Sequence, residues 1–342
     1  MRFRRKRIVE SNDSPFENSK IELHKQSLNK KEKHGWGKTE RVFVFSILGV
    51  TSLGAFLLAF VSRQGKLPNL PRLTAESVGL SDTVILTKTE VPINIQKRDN
   101  DIIKRFSETV SSLSGVYAFV VVDLKSGDTY GLNEFEPMQA ASLIKLPVMT
   151  LLLKQADDGK LNLDSTYILK NSDKTAGSGS LSGSPEGTIM TYRRLLQYMG
   201  HESDNTAFTI VRNYFGDETI NTFAKDLGMK GTDITENMTT PSDIALLLEK
   251  IYDGRVLSTK SKDVLFDSLT KTIYENYLPK GIPEATRVAH KYGSEVHVLN
   301  DAGVVFSKNP YVVVLLTGGI VESEAQKTVP ILSQIIYEGQ SQ

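Results

Sequence analysis

Between Val42 and Val61 the chain reads VFVFSILGVTSLGAFLLAFV, about twenty residues without a charged side chain, long enough to cross a hydrocarbon core as a single helix. A core helix of that length would normally show a polar face, and this one has none. The run divides the chain, and any globular domain has to form on one side of it. Arg2, Arg4, Arg5, Lys6, Arg7, Lys25, Lys30, Lys31, Lys33, Lys38 and Arg41 precede it, against Arg63, Lys66 and Arg72 close behind. That asymmetry predicts a single-pass protein of the cell membrane, with the N-terminus cytoplasmic and everything after Val61 outside. A secretory signal peptide is the alternative. The long basic segment ahead of the run, the length of the run and the lack of an Ala-x-Ala site favour an uncleaved anchor.

Residues 1–41 are polar and charged with no sustained apolar period, which predicts a disordered cytoplasmic basic tail. Its Arg4 to Arg7 cluster serves either to hold the inner leaflet or only to set topology. Residues 62–98 hold Asn69, Pro71 and Pro92 and few large apolar groups, as expected of an extracytoplasmic linker, with Ile85-Leu86 a candidate short strand. Residues 99–342 remain as the folded domain. The whole chain, 39% hydrophobic and 24% charged, has ordinary globular composition. A formal net charge of +1 argues against nucleic acid as a partner. With no cysteine there is neither a disulfide nor a lipid-modified thiol, which is compatible with an extracytoplasmic protein.

Within the domain, Ile102, Ile103, Phe106, Val110 and Leu113 recur at helical spacing. Val116 to Leu124 and Thr129 to Leu132 flank Ser126-Gly127-Asp128 and read as a hairpin. An apolar helix follows Ser142 and stops at Asp157-Asp158-Gly159. The stretch from Gly159 to Ala289 reads as mostly helical. Its Gly/Ser-rich loop Ala176 to Gly183 would line a cleft, since small residues admit close approach to the backbone. Val288 to Lys291, Val304 to Ser307 and Tyr311 to Thr317 read as strands, and Lys327 to Tyr337 as a helix. Strands early and late with helices between them imply an α+β domain whose sheet is built from both ends of the sequence, with an inserted all-helical subdomain.

Three short stretches carry candidate chemistry. In Ser142-Leu143-Ile144-Lys145 a hydroxyl and an amine three residues apart share one helix face, so a nucleophile can meet its base. Apolar neighbours would lower the lysine pKa, and the helix N-terminus favours negative charge developing at the serine oxygen. The pattern alone is weak, because Ser27-Leu28-Asn29-Lys30 repeats it in the charged tail. The second stretch, Ser203-Asp204-Asn205, lies between two amphipathic segments, where a helix N-cap is the structural alternative. The third, His290-Lys291-Tyr292-Gly293, is flanked by strand-like runs.

In this order the three resemble the Ser-x-x-Lys, Ser-Asp-Asn and Lys-Thr-Gly signature of the penicillin-recognising serine hydrolases, the superfamily of class A β-lactamases and penicillin-binding proteins. The resemblance runs from about Asp99 to Glu338. It implies a β-lactamase-like fold, an antiparallel sheet flanked by helices beside a helical lobe, with the site at their junction. It also implies acyl transfer. Ser142 attacks a β-lactam or cell-wall peptide amide, and the N–H groups of Ser142 and Ser294 hold the oxyanion. Lys145 acts as base, Ser203 relays a proton to the leaving nitrogen, Asn205 binds the substrate amide and fixes Lys145, and Lys291 attracts a substrate carboxylate. Gly293 fits a strand edge that a ligand approaches closely.

Two departures matter. Tyr292 stands where the family has a small hydroxyl residue that helps bind the carboxylate. The loop that carries the deacylating glutamate of class A enzymes looks truncated. Glu236, just before Asn237-Met238-Thr239-Thr240-Pro241, is either that base or an acidic residue favourable to the start of the Pro241 helix. His201, His290 and His297 lack zinc-ligand spacing, so neither a metal nor another cofactor is expected. Three functions follow: a membrane-anchored β-lactamase-like hydrolase, a penicillin-binding peptidase with slow deacylation, and an envelope protein whose cleft only binds muropeptides.

Overall fold

The computed structural model describes residues 93–341. The tail, the uncharged run and the Ile85-Leu86 strand lie outside the described residues. Among the described residues no helix is long and apolar enough to cross a membrane.

In chain order the elements are α1 (Ile93–Val110), β1 (Val116–Asp123), β2 (Thr129–Leu132), β3 (Met138–Gln139), a 3-10 turn (Ala141–Ile144), α2 (Lys145–Asp157), β4 (Thr166–Ile168), β5 (Ile189–Thr191), α3 (Tyr192–His201), α4 (Asn205–Phe215), α5 (Asp217–Asp226), β6 (Met238–Thr239), α6 (Pro241–Tyr252), α7 (Thr259–Ser268), β7 (Arg287–Glu295), β8 (Val298–Phe306), β9 (Tyr311–Gly318) and α8 (Glu322–Gln340). Five strands form one sheet in the order β2-β1-β9-β8-β7, every neighbouring pair antiparallel. First and last strands thus meet at its centre, and β7 is an edge.

Both faces of the sheet are covered, which is why β1 reads as an unbroken apolar run. Its alternate residues enter different cores. Phe119 and Val121 pack with Ile102 and Phe106 of α1 and with Val329 and Leu332 of α8. Ala118, Val120 and Val122 join the core that holds α2, α6 and the helical lobe. The rings of Phe106 and Phe119 stack with centroids 4.2 Å apart.

Several boundaries differ from the sequence reading. α1 starts at Ile93, inside the stretch expected as linker. Its polar first turns are held partly by Arg98, which pairs with Asp99 at 2.9 Å and lies 3.8 Å from Asp123. The region between Gly159 and Ala289 is not purely helical, because β4 pairs with β5 and β6 pairs with β3. Strands of two or three residues are too short for an alternating pattern to register. β8 begins at Val298, earlier than expected, because the polar pair Asn300-Asp301 interrupts its apolar pattern.

That polar pair is part of the framework. Asp301 and His290 are both fully buried, with Oδ1 2.8 Å from the ring Nδ1. Thr272 Oγ1 and Glu275 Oε1 lie 3.1 and 3.2 Å from Nε2, and Asp301 Oδ2 accepts from the Leu278 N–H at 3.0 Å. The pair therefore ties β7, β8 and the 272–278 segment together. Burial opposes a charged ring, yet the Asp301 and Glu275 carboxylates outweigh it and raise the His290 pKa from 6.5 to about 9. A raised folded-state pKa adds stability that is complete below the unfolded value and is lost as pH climbs through the folded one. Chemical denaturation between pH 6 and 10 should show the wild type losing stability from about pH 6.5 until about pH 9 relative to His290→Gln. Parallel curves for the two proteins would refute the assignment.

Candidate active site

Ser142 sits on the 3-10 turn rather than on the α-helix itself, and this tightens its geometry. Side chains at i and i+3 nearly eclipse in a 3-10 helix, and Lys145 Nζ donates to Ser142 Oγ at 2.8 Å. The turn is entered through Ala141, whose φ of +48° is rare for a residue with a Cβ. Such strain persists only where the surroundings over-determine it. Here Ala140 N–H donates to the Asn237 carbonyl at 2.8 Å. The Asn300 side chain, wholly buried, donates to the carbonyls of Gln139 and Ala140 at 2.8 and 3.2 Å.

Lys145 is buried, and its ammonium donates twice more, to Asn205 Oδ1 at 2.8 Å and Ser203 Oγ at 3.3 Å. Burial lowers its pKa from 10.5 to about 8, against the opposing charges of Asp204 and Glu295. Burial thus brings the neutral amine that a base requires closer to reach near neutral pH.

The N-cap alternative for the second motif falls to its middle residue. Asp204 caps α4 by accepting from Ala207 N–H, and its other oxygen accepts from Leu181 N–H at 2.8 Å. Ser203, with φ +56°, and Asn205 are left free to face Lys145. The Gly/Ser-rich loop packs on this motif. Asn205 N–H donates to the Ser178 carbonyl and Asn205 Nδ2 to that of Ala176. A Cβ on Gly177 would meet Asn205 Nδ2 at 2.8 Å. The small residues serve close approach to the protein's own side chains.

β7 brings in the third motif and runs through Gly293 and Ser294 to Glu295. Lys291 is 1% exposed, and its ammonium donates to the Tyr292 carbonyl at 2.7 Å. Burial and the charge of Lys145 push its pKa well below the ordinary value. A Cβ on Gly293 would lie 2.8 Å from Ser142 N and 3.3 Å from Ala141 Cβ, so only glycine lets the strand pass this close to the turn. Tyr292 alternates to the other face. Its ring is sandwiched between Tyr274 at 4.7 Å and Tyr277 at 4.4 Å, apart from the Lys291 and Gly293 face.

Glu236 stands outside this constellation. Its side chain is exposed, and its backbone N–H donates to Asp233 at 3.2 Å. The carboxylates whose charge reaches Lys145 belong to Asp204 and Glu295. The loop is short because Asp233 and Met238 bridge it through two backbone hydrogen bonds. Of the other histidines, His297 bonds to the Ile320 carbonyl and His201 ends α3.

Sequence reasoning missed Asp204 as the cap, Asn300 as the tie beneath Ser142, and Tyr274. The only signal for Asn300 was a polar residue in an otherwise apolar strand. Tyr274, within a loop, gave none.

A model of a family described as "Beta-lactamase enzyme family" matches residues 100–340. The chain belongs to the β-lactamase enzyme family. As a member it is a serine hydrolase acting on amide bonds. β-Lactamase VEB-1 of Pseudomonas aeruginosa is 26% identical over 60% of this chain and 76% of its own length. Among solved structures, PBP-A superposes with a TM-score of 0.67 at 24% identity, covering 70% of this chain and 96% of its own. A mutant of PBP-A has been solved as an acyl-enzyme complex with penicillin G. A β-lactamase from Sphaerobacter thermophilus gives 0.67 at 23% identity over 71% and 97%.

For this β-lactamase-family member the closeness of Gly293 to Ser142 yields a direct test. Gly293→Ala should force strand and turn apart by a fraction of an ångström while leaving both cores intact. Misplacement on the scale of 1 Å costs about 10²-fold, so this smaller shift should lower acyl-enzyme formation with a penicillin by roughly tenfold, and by no more than about 10²-fold, at nearly unchanged melting temperature. Full-rate acylation in the variant would show that the contact is not needed.

Proposed function

We propose that the protein is a membrane-anchored, extracytoplasmic acyl-transfer enzyme that opens a β-lactam, or a related amide of cell-wall peptide, through an ester on Ser142. A slowly deacylating penicillin-binding enzyme is the form the geometry supports best. The observation that carries the reading is the single ammonium of Lys145 bonded to Ser142, Ser203 and Asn205.

In the proposed sequence neutral Lys145 takes the Ser142 proton as Oγ attacks the carbonyl carbon, and the N–H groups of Ser142 and Ser294 receive the oxyanion. As the C–N bond breaks, Ser203 passes a proton to the nitrogen and is reprotonated from Lys145, which a hydroxyl can do as both donor and acceptor. Lys291 supplies positive potential for a substrate carboxylate, and Asn205 binds the substrate amide. The acyl group is then an ester awaiting water. Glu236 takes no part in this sequence: it is exposed and is not among the hydrogen-bond partners of Lys145. A missing general base typically costs about 10²–10⁴ in rate, so the acyl-enzyme should accumulate. The penicillin G acyl-enzyme of the PBP-A mutant is a precedent on this fold. Relatedness to VEB-1 favours the second reading, turnover as a β-lactamase.

Intact mass after incubation with a penicillin should rise by one ligand, and not in Ser142→Ala. With excess chromogenic cephalosporin we expect a burst of about one equivalent followed by slow turnover, little changed in Glu236→Gln. Labelling that survives Ser142→Ala overturns the nucleophile. Fast turnover without a burst, abolished in Glu236→Gln, makes the protein a true β-lactamase.

The uncharged run at 42–61 and the basic excess ahead of it support the anchored topology. Protease added to intact spheroplasts should remove the domain after residue 100 and spare the basic tail. A domain digested only after lysis would reverse the orientation.

A further inference from the structure

Tyr274 belongs to the loop before β7 but is tied to the opposite lobe. Its hydroxyl lies 2.7 Å from Ser178 Oγ and donates to the Glu202 carbonyl at 3.2 Å. Both partners flank the second motif, since the Ser178 carbonyl accepts from Asn205 N–H and Glu202 directly precedes Ser203. On its other side the ring stacks on Tyr292, and the Lys291 ammonium lies over it, 6.0 Å from its centroid. The ring therefore bridges the cleft from the third motif to the second, beside an ammonium with almost no exposure to water.

The backbone around Tyr274 cannot easily lift. Thr272 and Glu275 contact buried His290, and Leu278 N–H is held by Asp301. Ile273 N–H is also bonded to the His201 carbonyl. What can move is the side chain, by rotation that breaks the hydroxyl's ties and unstacks it from Tyr292.

We propose that Tyr274 is a gating residue: with its hydroxyl tied across the cleft, the ring shields Lys291, and a substrate carboxylate reaches that ammonium only after the side chain swings aside. Tyr274 thereby selects among substrates by the anionic group beside the reacting amide. This rests on the acyl-transfer reading above.

The test compares benzylpenicillin with its methyl ester, which keeps the β-lactam and removes the negative charge, in the full-length protein. Tyr274→Phe keeps the ring and deletes the hydroxyl's ties, and Ser178→Ala removes one tie from the other lobe. Net hydrogen bonds of this kind shift equilibria by roughly five- to tenfold, so the acid-to-ester ratio of second-order acylation rates should rise by about that factor in Tyr274→Phe and in the same direction in Ser178→Ala. General loosening would move both substrates together, and an unchanged or lower ratio overturns the gate. Lys291 labelling by trinitrobenzenesulfonate, located by peptide mass, is a second readout independent of catalysis. It should be faster in Tyr274→Phe than in the wild type, and equal labelling overturns the gate. If neither penicillin nor ester acylates the wild type, the acyl-transfer reading fails, and the labelling rates alone decide whether Tyr274 shields Lys291.

Discussion

The site is organised around one amine held out of water. A buried ammonium without acceptors would be strongly destabilising, and Lys145 meets this constraint with three oxygens drawn from two parts of the fold. One comes from its own turn and two from the inserted lobe. The rest of the local structure follows from aiming them. Ser203 adopts a left-handed backbone, Asp204 caps α4 in its neighbours' place, and glycines at 177 and 179 let the loop close on the motif.

A second buried lysine intensifies the electrostatics. The charge of Lys145 adds to burial in favouring the neutral state of Lys291, and Asp301 supplies part of the compensation. The same aspartate neutralises His290 on the opposite face of β7. One buried carboxylate thus serves both sides of an edge strand, so the strand's position and the charge in the cleft are set together.

How much of this the sequence discloses depends on range. Ser142 and Lys145 are close in sequence, so their encounter is local geometry and could be read. The sheet was legible as strands at both ends of the domain, and both-face burial explains their unbroken apolar character. Asn300 reaches Gln139 and Ala140 from across the sheet, and no local pattern encodes that. Tyr292 was legible as a departure, but its stacking needed Tyr274 and Tyr277, which the chain delivers from a loop without periodicity. Glu236 shows the opposite failure: proximity in sequence to the Pro241 helix made it a candidate, and its exposed position on a tight turn gives it no contact with the amine.

That turn has a consequence for how the site can change. Its two ends are fastened independently: Asp233 and Met238 bond to each other, while β6 is paired to β3 immediately ahead of the nucleophile. Residues inserted between Ile234 and Asn237 would therefore extend outward from a closed hairpin without dragging on Ser142. In such an architecture the length of this loop and the placement of the turn that carries Ser142 are separate variables. The fold can vary the one by insertion while the contacts that place the other stay as they are.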